Sequence, residues 1–347
     1  MTAVPASGAG AASAALARRI RTVIAFAAFT AIAVGGFIWS VSIGPEHIGA
    51  WTIVKGTFAQ GHSTAQLIVH IIRLPRALLA VLAGAALAVS GAVMQSVTRN
   101  PLGAPEILGV TYGAAVTVAL ATTIVPSLAG VNQLWLSFAG GGAAAIVVYA
   151  IARYGRGGLS PARLALAGYT ITLMLWGVLQ GLLIAFTQDS DKFFFWLVGG
   201  VTTAEWRQIH TAYPWLVAGF VLAIFLARPL NLLALGDDVA KGLGQHVGRI
   251  RFLSILCVVL LTGAAVGVAG PIAFVGLIVP HIVRKFVGNN HFVVLPLSMI
   301  VGAGLVLYAD IVARHLDPHV QMPAGIVVAP IGAALFIYLA RREKVVG

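Results

Sequence analysis

Residues 73–112 read RLPRALLAVLAGAALAVSGAVMQSVTRNPLGAPEILGVTY, and this stretch decides the fold. Its middle part, residues 77–97, supplies the ~20 apolar residues that an α-helix needs to cross a bilayer. Alanine and glycine are frequent in it, and such small residues let helices approach closely in lipid, where close packing drives their association. The stretch therefore predicts a membrane-spanning helix that packs tightly against its neighbours.

Both ends of this predicted helix carry polar residues. Arg73 and Arg76 precede it, and Asn100, Pro101 and Pro105 make the connection to the next apolar segment irregular. Irregular backbone at membrane depth is tolerated only inside protein or beside a water-filled cavity. We therefore expect this connection to lie in the protein interior or along a transport path.

The whole chain shares this apolar character. It has 347 residues, of which 59% are hydrophobic and 9% are charged, and its mean hydropathy is +0.97. A soluble domain carries about 25% charged residues, so this chain has too little charge to cover a surface that faces water. Its one cysteine, Cys257, lies in an apolar run and allows no disulfide within the chain.

Ten segments have the composition of membrane-spanning helices, and the sequence predicts an all-α polytopic membrane protein. The seventh and eighth form one apolar run that Gly270 and Pro271 divide, because proline ends a helix. Residues 45–70 have a weak apolar face and predict an external loop with some helix. The predicted spans are 22–43, 77–97, 107–127, 133–152, 164–187, 209–227, 252–270, 272–288, 293–313 and 325–341.

Lysine and arginine set the predicted orientation, because they are enriched in the cytoplasmic loops of membrane proteins. With both termini in the cytoplasm, the inner segments hold 16 of the 22 basic residues. This asymmetry accounts for the net charge of +12 without a nucleic-acid partner. We expect residues 1–19 to be a disordered cytoplasmic N-terminus and residues 20–343 to form one transmembrane domain.

The longest predicted inner loop, residues 228–251, has the features of a docking element. Asp237 and Asp238 follow Gly236 and are expected to cap a short helix, because carboxylates accept hydrogen bonds from free N–H groups at a helix start. Gly242 is expected to end it, and a second short helix is expected from Gln245. Two short helices against the inner face would form a rigid docking site for a cytoplasmic partner, and the alternative is a solvated turn.

Two further polar groups lie in the last third of the chain. Arg314 joins Arg73 and Arg76 on the predicted outer side, either in one basic patch or in a local pair with Asp310, four residues earlier on the same helix face. Three histidines invite a metal site, but Pro318 interrupts the helix that two of them would share, so we predict none. These histidines are His281, His315 and His319.

The sequence contains no constellation of catalytic residues. It has no phosphate-binding loop of the Walker type, no HExxH and no Gly-x-Ser-x-Gly motif. The middles of the predicted spans are nearly free of ionisable residues, whereas an ion-driven carrier needs them there, and an intramembrane enzyme needs paired catalytic residues. We therefore predict a transport subunit that is not itself an enzyme and that draws energy from another chain.

Several segments together resemble the FecCD family of ABC-importer permeases, which import iron–siderophore complexes, haem or vitamin B12. The resemblance covers nearly all of the chain after residue 20. It rests on the order and spacing of RLPRALLAVLAGAALAVSGAVMQ, RNPLGAPEILGV, LNLLALGDDVAKGLG, GPIAFVGLIVPHIVR, LPLSMIVGAGLVLYADIVAR and MPAGIVVAPIGAALF.

The resemblance implies a permease fold like that of the vitamin B12 importer, in the bacterial cytoplasmic (inner) membrane. It implies four kinds of partner: a second permease subunit, two ABC ATPase subunits, a periplasmic or lipid-anchored substrate-binding protein, and a ferric siderophore as cargo. Haem or cobalamin are alternative cargoes, and an ion-coupled carrier is a more distant alternative. ATP and Mg²⁺ would bind to the partner ATPase, and this chain would hold no cofactor.

The resemblance also assigns residues, which fall into four groups. The outer arginines Arg73, Arg76 and Arg314 would dock the binding protein, and Asn100 and Leu102 would form a cytoplasmic gate. A second constriction of small polar residues is replaced here by Pro161 and Ala162. Coupling to the ATPase would involve Leu235, Gly236, Asp237, Asp238, Ala240, Leu243 and Gly244. The polar or large side chains of the fifth span either line the pathway or pack between helices: Tyr169, Thr170, Thr172, Trp176 and Gln180.

Overall fold

The computed structural model describes residues 8–44, 46, 48–58, 63–123, 133–154, 160–185, 196–316 and 321–343. A π-helical segment, Ile68–Arg73, joins the third helix to the fourth, and a 3₁₀ turn, Pro105–Leu108, precedes the fifth. The helices are α1 (Gly8–Ser42), α2 (Ala50–Phe58), α3 (Thr64–Leu67), α4 (Leu74–Thr98), α5 (Val110–Thr123), α6 (Gln133–Arg153), α7 (Pro161–Ala185), α8 (Trp206–Leu233), α9 (Asp237–Gly242), α10 (Val247–Ala269), α11 (Val275–Val287), α12 (His291–Leu316) and α13 (Gly325–Glu343).

The all-α fold class is confirmed, and each of the ten predicted spans coincides with a helix. Seven helical stretches in the described residues are long and apolar enough to cross a membrane. The three others are shorter: α5, which is described only as far as residue 123, α11 and α13. Helix α11 has 13 residues, which at about 1.5 Å per residue spans less than a bilayer core.

The break before α11 lies at Gly270, as predicted. Gly270 ends α10 with φ of +67°, a left-handed conformation that glycine adopts without strain. Gly270 and Ile272 of the non-helical segment 270–274 are buried, and a neighbouring segment donates a hydrogen bond to the end of α10, from the N–H of Gly200 to the carbonyl oxygen of Ala269 at 2.7 Å. This arrangement satisfies backbone groups that lipid would leave without partners.

Helix α4 is the centre of the bundle, since it packs against α8, α10, α11 and α12 and is almost entirely buried. Glycines allow its closest contacts. A β-carbon on Gly84 would collide with the backbone of Gly302 in α12, and one on Gly91 would collide with the backbone of Gly276 in α11. The prediction of a tightly packed helix is therefore confirmed, and its glycines are the points of contact.

The second span begins earlier than predicted. The helix runs continuously from Thr64 through the π segment into α4, so the part of residues 45–70 that we expected to be a loop is largely helical. A proline ring clashes with the carbonyl group four residues before it in a regular α-helix. The π turn, which ends two residues before Pro75, gives that ring space.

Two other expectations were wrong. Residues 8–19 are helical and belong to α1, because this alanine-rich segment has high helix propensity; residues 1–7 lie outside the described residues. The inner loop contains one short helix, α9, and not two. The helix expected at Gln245 is instead the start of α10, which runs from Val247 into the membrane without an interruption.

Candidate functional site

The first candidate site is a cluster of arginines at the predicted outer ends of α1, α4 and α12. Arg73 donates hydrogen bonds from Nη1 to the carbonyl oxygen of Ser42 (2.7 Å) and from Nη2 to that of Glu46 (2.7 Å). These carbonyl groups are at and just beyond the C-terminus of α1, where a helix has free acceptors and a partial negative charge. Arg73 therefore caps α1.

Asp310 joins the other two arginines of this cluster. Arg76 reaches its carboxylate through Nε (3.1 Å to each oxygen) and Nη2 (2.8 Å). Arg314 contacts the same carboxylate through Nε (3.0 Å) and Nη2, and it donates to Ser40 of α1 through Nη1 (3.0 Å). The carboxylate of Asp310 thus compensates the guanidinium groups of Arg76 and Arg314. It joins α12 to α4, and Arg314 extends the connection to α1.

The cluster brings the three predicted docking arginines together, but it buries them. Arg73 is 4% exposed and Arg76 is 7% exposed, and Asp310 is fully buried. The predicted pair of Arg314 with Asp310 is present, and Arg76 pairs with the same carboxylate. The structure therefore gives these arginines a role in holding helices together, and their role in docking stays a prediction.

The second candidate site is the short inner helix α9. Gly236 precedes it with φ of +121°, and Asp237 and Asp238 occupy its first turn without capping it through their side chains. Ala240 packs inward, while Leu235, Leu243 and the additional residue Val239 are exposed. These three exposed apolar side chains lie in α9 and directly beside it. We call them the α9 ridge; the sequence prediction included Leu235 and Leu243 but not Val239.

The predicted gate residues lie in the turn that follows α4, residues 99–103. Arg99 ends the helix in the left-handed conformation (φ 49°), which is rare for a residue with a side chain. The Asn100 side chain accepts a hydrogen bond from the N–H of Leu102 (2.9 Å), and its carbonyl oxygen accepts one from Gly103 (2.8 Å). Asn100 therefore shapes this turn, which we call the gate turn.

Asp237 brings α9 and the gate turn together. Its carboxylate pairs with Arg99 of the gate turn and with Arg251 of α10, whose Nη2 lies 2.9 Å from Oδ2. Arg99 also donates to the carbonyl oxygen of Leu233 at 3.0 Å. The predicted coupling residue Asp237 is therefore in direct contact with the turn that carries the two predicted gate residues.

The fifth span, α7, carries the predicted pathway residues. Tyr169, Thr170 and Trp176 are exposed, and Gln180 is half-buried. Thr172 instead packs inward and donates to the carbonyl oxygen of Glu106 at 2.8 Å. One predicted pathway residue thus packs between helices, whereas the others are exposed or half-buried, and their part in a pathway stays a prediction.

Glu106 is a half-buried acid between the gate turn and α7, and its Oε2 atom is buried. Its Oε2 atom has no hydrogen-bond partner among the described residues. Burial raises the pKa of this carboxyl above its ordinary value, because desolvation disfavours the charged form. Pro161 and Ala162, which replace the small polar residues of the second constriction, are the first two residues of α7.

Residues 31–342 match the model of the FecCD transport family. The chain belongs to this family. It is 42% identical over 323 residues to the iron(3+)-hydroxamate import system permease protein FhuB of Bacillus subtilis (strain 168), covering 93% of this chain and 84% of that protein. It is 38% identical over 286 residues to the Fe(3+) dicitrate transport system permease protein FecC of Escherichia coli (strain K12), covering 82% and 86%.

A solved structure shares the fold of this FecCD protein. It is described as an inward-facing conformation of a metal-chelate type ABC transporter, and it matches with a TM-score of 0.80 and 30% identity. The match covers 92% of this chain and 99% of that chain. The permease fold that the sequence motifs implied is therefore confirmed.

A second buried polar network lies near the predicted inner ends of α4, α8, α11 and α12 of this FecCD protein, and no sequence motif indicated it. Arg284 donates to the side chain of Gln95, and Gln95 donates to the carbonyl oxygen of Leu277 at 3.1 Å. His291 contacts Ser96 and also lies 2.7 Å from Asn231, through its Nδ1 atom. The network ties four helices together next to the gate turn.

The described residues contain no group of three or more histidine, cysteine, aspartate or glutamate side chains that could hold a metal ion. Of the histidines considered above, His315 contacts the carbonyl oxygen of Ile311 at 2.7 Å, one turn earlier in α12. His319 lies outside the described residues.

Proposed function

We propose that this chain is the permease subunit of a binding-protein-dependent ABC importer that moves a ferric siderophore into the cell. The observation that carries the proposal is the similarity, along 93% of the chain, to a permease of an iron(3+)-hydroxamate import system. The Escherichia coli relative belongs to an Fe(3+) dicitrate transport system. Iron bound to an organic chelator is the cargo that these two names share.

The proposal requires partner chains. A second permease, identical or related, would complete the pathway beside the exposed side of α7, and two ABC ATPases would supply the energy. The α9 ridge supports an ATPase contact, because apolar side chains on a charged inner surface favour burial against another protein. ATP and Mg²⁺ would bind to the ATPases, in agreement with the lack of a Walker motif in this sequence.

The proposed contacts with the ATPases and the second permease suggest how the cargo would be moved. ATP-driven closure of the ATPases would move α9, and the two permeases would rock between states open to either side of the bacterial cytoplasmic membrane. A bulky polar cargo passes only if no site along the path binds it tightly. The exposed side chains of Tyr169 and Trp176 and the half-buried side chain of Gln180 suit such a path, because they are uncharged and moderately polar.

ATP dependence is the direct test of this function. Membrane vesicles that contain the permease, its ATPase and its binding protein should accumulate a radiolabelled ferric hydroxamate only when ATP is hydrolysed. A vesicle with an ATPase variant that binds but does not hydrolyse ATP is the control. Uptake that persists on a proton gradient without ATP would contradict the proposal, and uptake of haem or cobalamin in place of the siderophore would correct the cargo alone.

Docking of the binding protein tests the outer arginines. Replacing Arg73 and Arg76 by glutamate should weaken binding of the purified binding protein to permease in nanodiscs by on the order of 10-fold or more, because the change reverses two charges and disrupts the cap on α1. Lys55→Glu is the control, since Lys55 is an exposed base on the same predicted side. Equal weakening by Lys55→Glu would assign docking to general charge, and unchanged binding would remove the arginines from the docking site.

A further inference from the structure

We infer that Asp237 transmits the movement of α9 to the gate turn through its ion pair with Arg99. This inference rests on the proposed function and adds a mechanical link to it. Nothing in the sequence pairs these residues, which lie 138 positions apart. The link makes Asp237 and Arg99 positioning residues, which act on the gate and need not touch the cargo.

The first step of the argument is the direct contact between the two elements. Asp237 is the first residue of α9, so its backbone moves with that helix. Its carboxylate accepts a hydrogen bond from Arg99, and the two form an ion pair. Charge-assisted hydrogen bonds of this kind are roughly twice as strong as neutral ones, so displacement of α9 pulls on Arg99.

The second step is the stiffness of the gate turn. Arg99 has a left-handed backbone, and the N–H of Asn100 donates to the carbonyl oxygen of Gln95 at 3.2 Å. Asn100 then closes a tight turn onto Leu102 through its side chain. Because only one peptide bond separates Arg99 from Asn100, a force on the Arg99 side chain reorients both predicted gate residues.

The third step is the anchor on the other side of Asp237. Arg251 of α10 contacts both carboxylate oxygens at 3.0 and 2.9 Å, and its side chain is only 4% exposed. Arg251 is therefore fixed in the bundle, whereas Arg99, at 35% exposure, lies on the accessible side. The carboxylate is held between a fixed arginine and one that belongs to the gate turn.

The neighbouring acid shows that this link is specific to one residue. Asp238 is fully exposed and pairs only with Lys241 of the same helix, at 3.4 Å, among the described residues. Both residues of that pair belong to α9, so the pair does not link α9 to the gate turn. Of the two adjacent acids, only Asp237 joins separate elements.

The experiment measures transport per ATP in the assembled importer. Asp237→Asn keeps the shape of the side chain but removes the charge that both arginines require. We expect uptake per ATP hydrolysed by the bound ATPase to fall on the order of 10-fold, a size typical of coupling between distant sites. Arg99→Gln should have a similar effect, and the double variant should lose little more than either single variant, because both remove the same link.

Glu205→Gln is the matched control, because it makes the same change from acid to amide at an exposed, weak ion pair whose atoms are 4.0 Å apart. It should transport like the wild type. Normal uptake per ATP in Asp237→Asn, or additive effects of the two single variants, would overturn the inference. Loss of ATPase binding in Asp237→Asn would overturn it as well, since the residue would then act in assembly.

A second measurement separates the link from the identity of the cargo. The one cysteine of the chain, Cys257, is buried, so Leu102→Cys introduces a thiol at the gate turn that a maleimide can report. With its ATPase bound, this variant should change its labelling rate when ATP is added, and adding Asp237→Asn should abolish the change. An ATP response that survives Asp237→Asn contradicts the link, whereas absent siderophore uptake with an intact ATP response contradicts only the proposed cargo.

Discussion

Replacing Asp310 by asparagine is expected to destabilise the folded permease by about 3–5 kcal/mol, the usual cost of removing one partner of a buried ion pair. The carboxylate of Asp310 is fully buried and compensates both Arg76 and Arg314. Asparagine fits the same space but carries no charge, so two guanidinium groups would remain inside the protein without a counter-charge. Burying such a charge is costly because the surroundings solvate it poorly.

The measurement is the apparent melting temperature of the purified protein in detergent, followed by size-exclusion chromatography after heating. Asp238→Asn is the control, because it makes the same chemical change at a fully exposed position and should leave the melting temperature unchanged. An equally stable Asp310→Asn protein would show that the hydrogen bonds of Arg314 to Ser40 suffice to hold this end of the bundle.

The second large effect is expected at the closest contact between helices. In Gly91→Val, the added side chain would collide with the backbone of Gly276, which cannot move without displacing α11. Overpacking in a dense core usually costs about 1–3 kcal/mol, and a collision with backbone lies at or above the upper end of that range. We expect most of the protein to aggregate or to be degraded before purification.

Gly142→Val tests whether this effect comes from the contact. Gly142 lies inside α6, and no atom is close enough to meet an added β-carbon. Folded yield in a fluorescence size-exclusion assay should stay close to that of the wild type for Gly142→Val and fall severely for Gly91→Val. Similar yields for the two variants would mean that α4 and α11 separate more easily than their contact suggests.

Features that depend on neighbouring residues were predictable from the sequence. The ten spans follow from apolar runs, and the break at Gly270 follows from the proline beside it. The short helix at Asp237 was also predicted, although Gly236 and not an aspartate precedes its first turn. Each of these features is decided within a few residues, so the local pattern contains the necessary information.

Features that depend on distant residues were not predictable. Arg76 and Asp310 are 234 positions apart, and Arg284 and Gln95 are 189 positions apart. Three arginines on the predicted outer side therefore suggested either a basic patch or a local pair of Arg314 with Asp310, because nothing in the sequence places Arg76 of α4 beside Asp310 of α12. The arginines form a buried cluster only because α12 packs against α4.

The arginines that hold the end of α1 have a consequence for biogenesis. Most of α1 faces away from the bundle, and its outer end is fixed by Arg73 and by Arg314. Arg314 becomes available to Ser40 of α1 only after more than 270 further residues have been synthesised. Arg73 can hold α1 early in synthesis, but the second attachment of its outer end forms only when α12 packs against the bundle, so α1 stays partly anchored while most of the other helices insert.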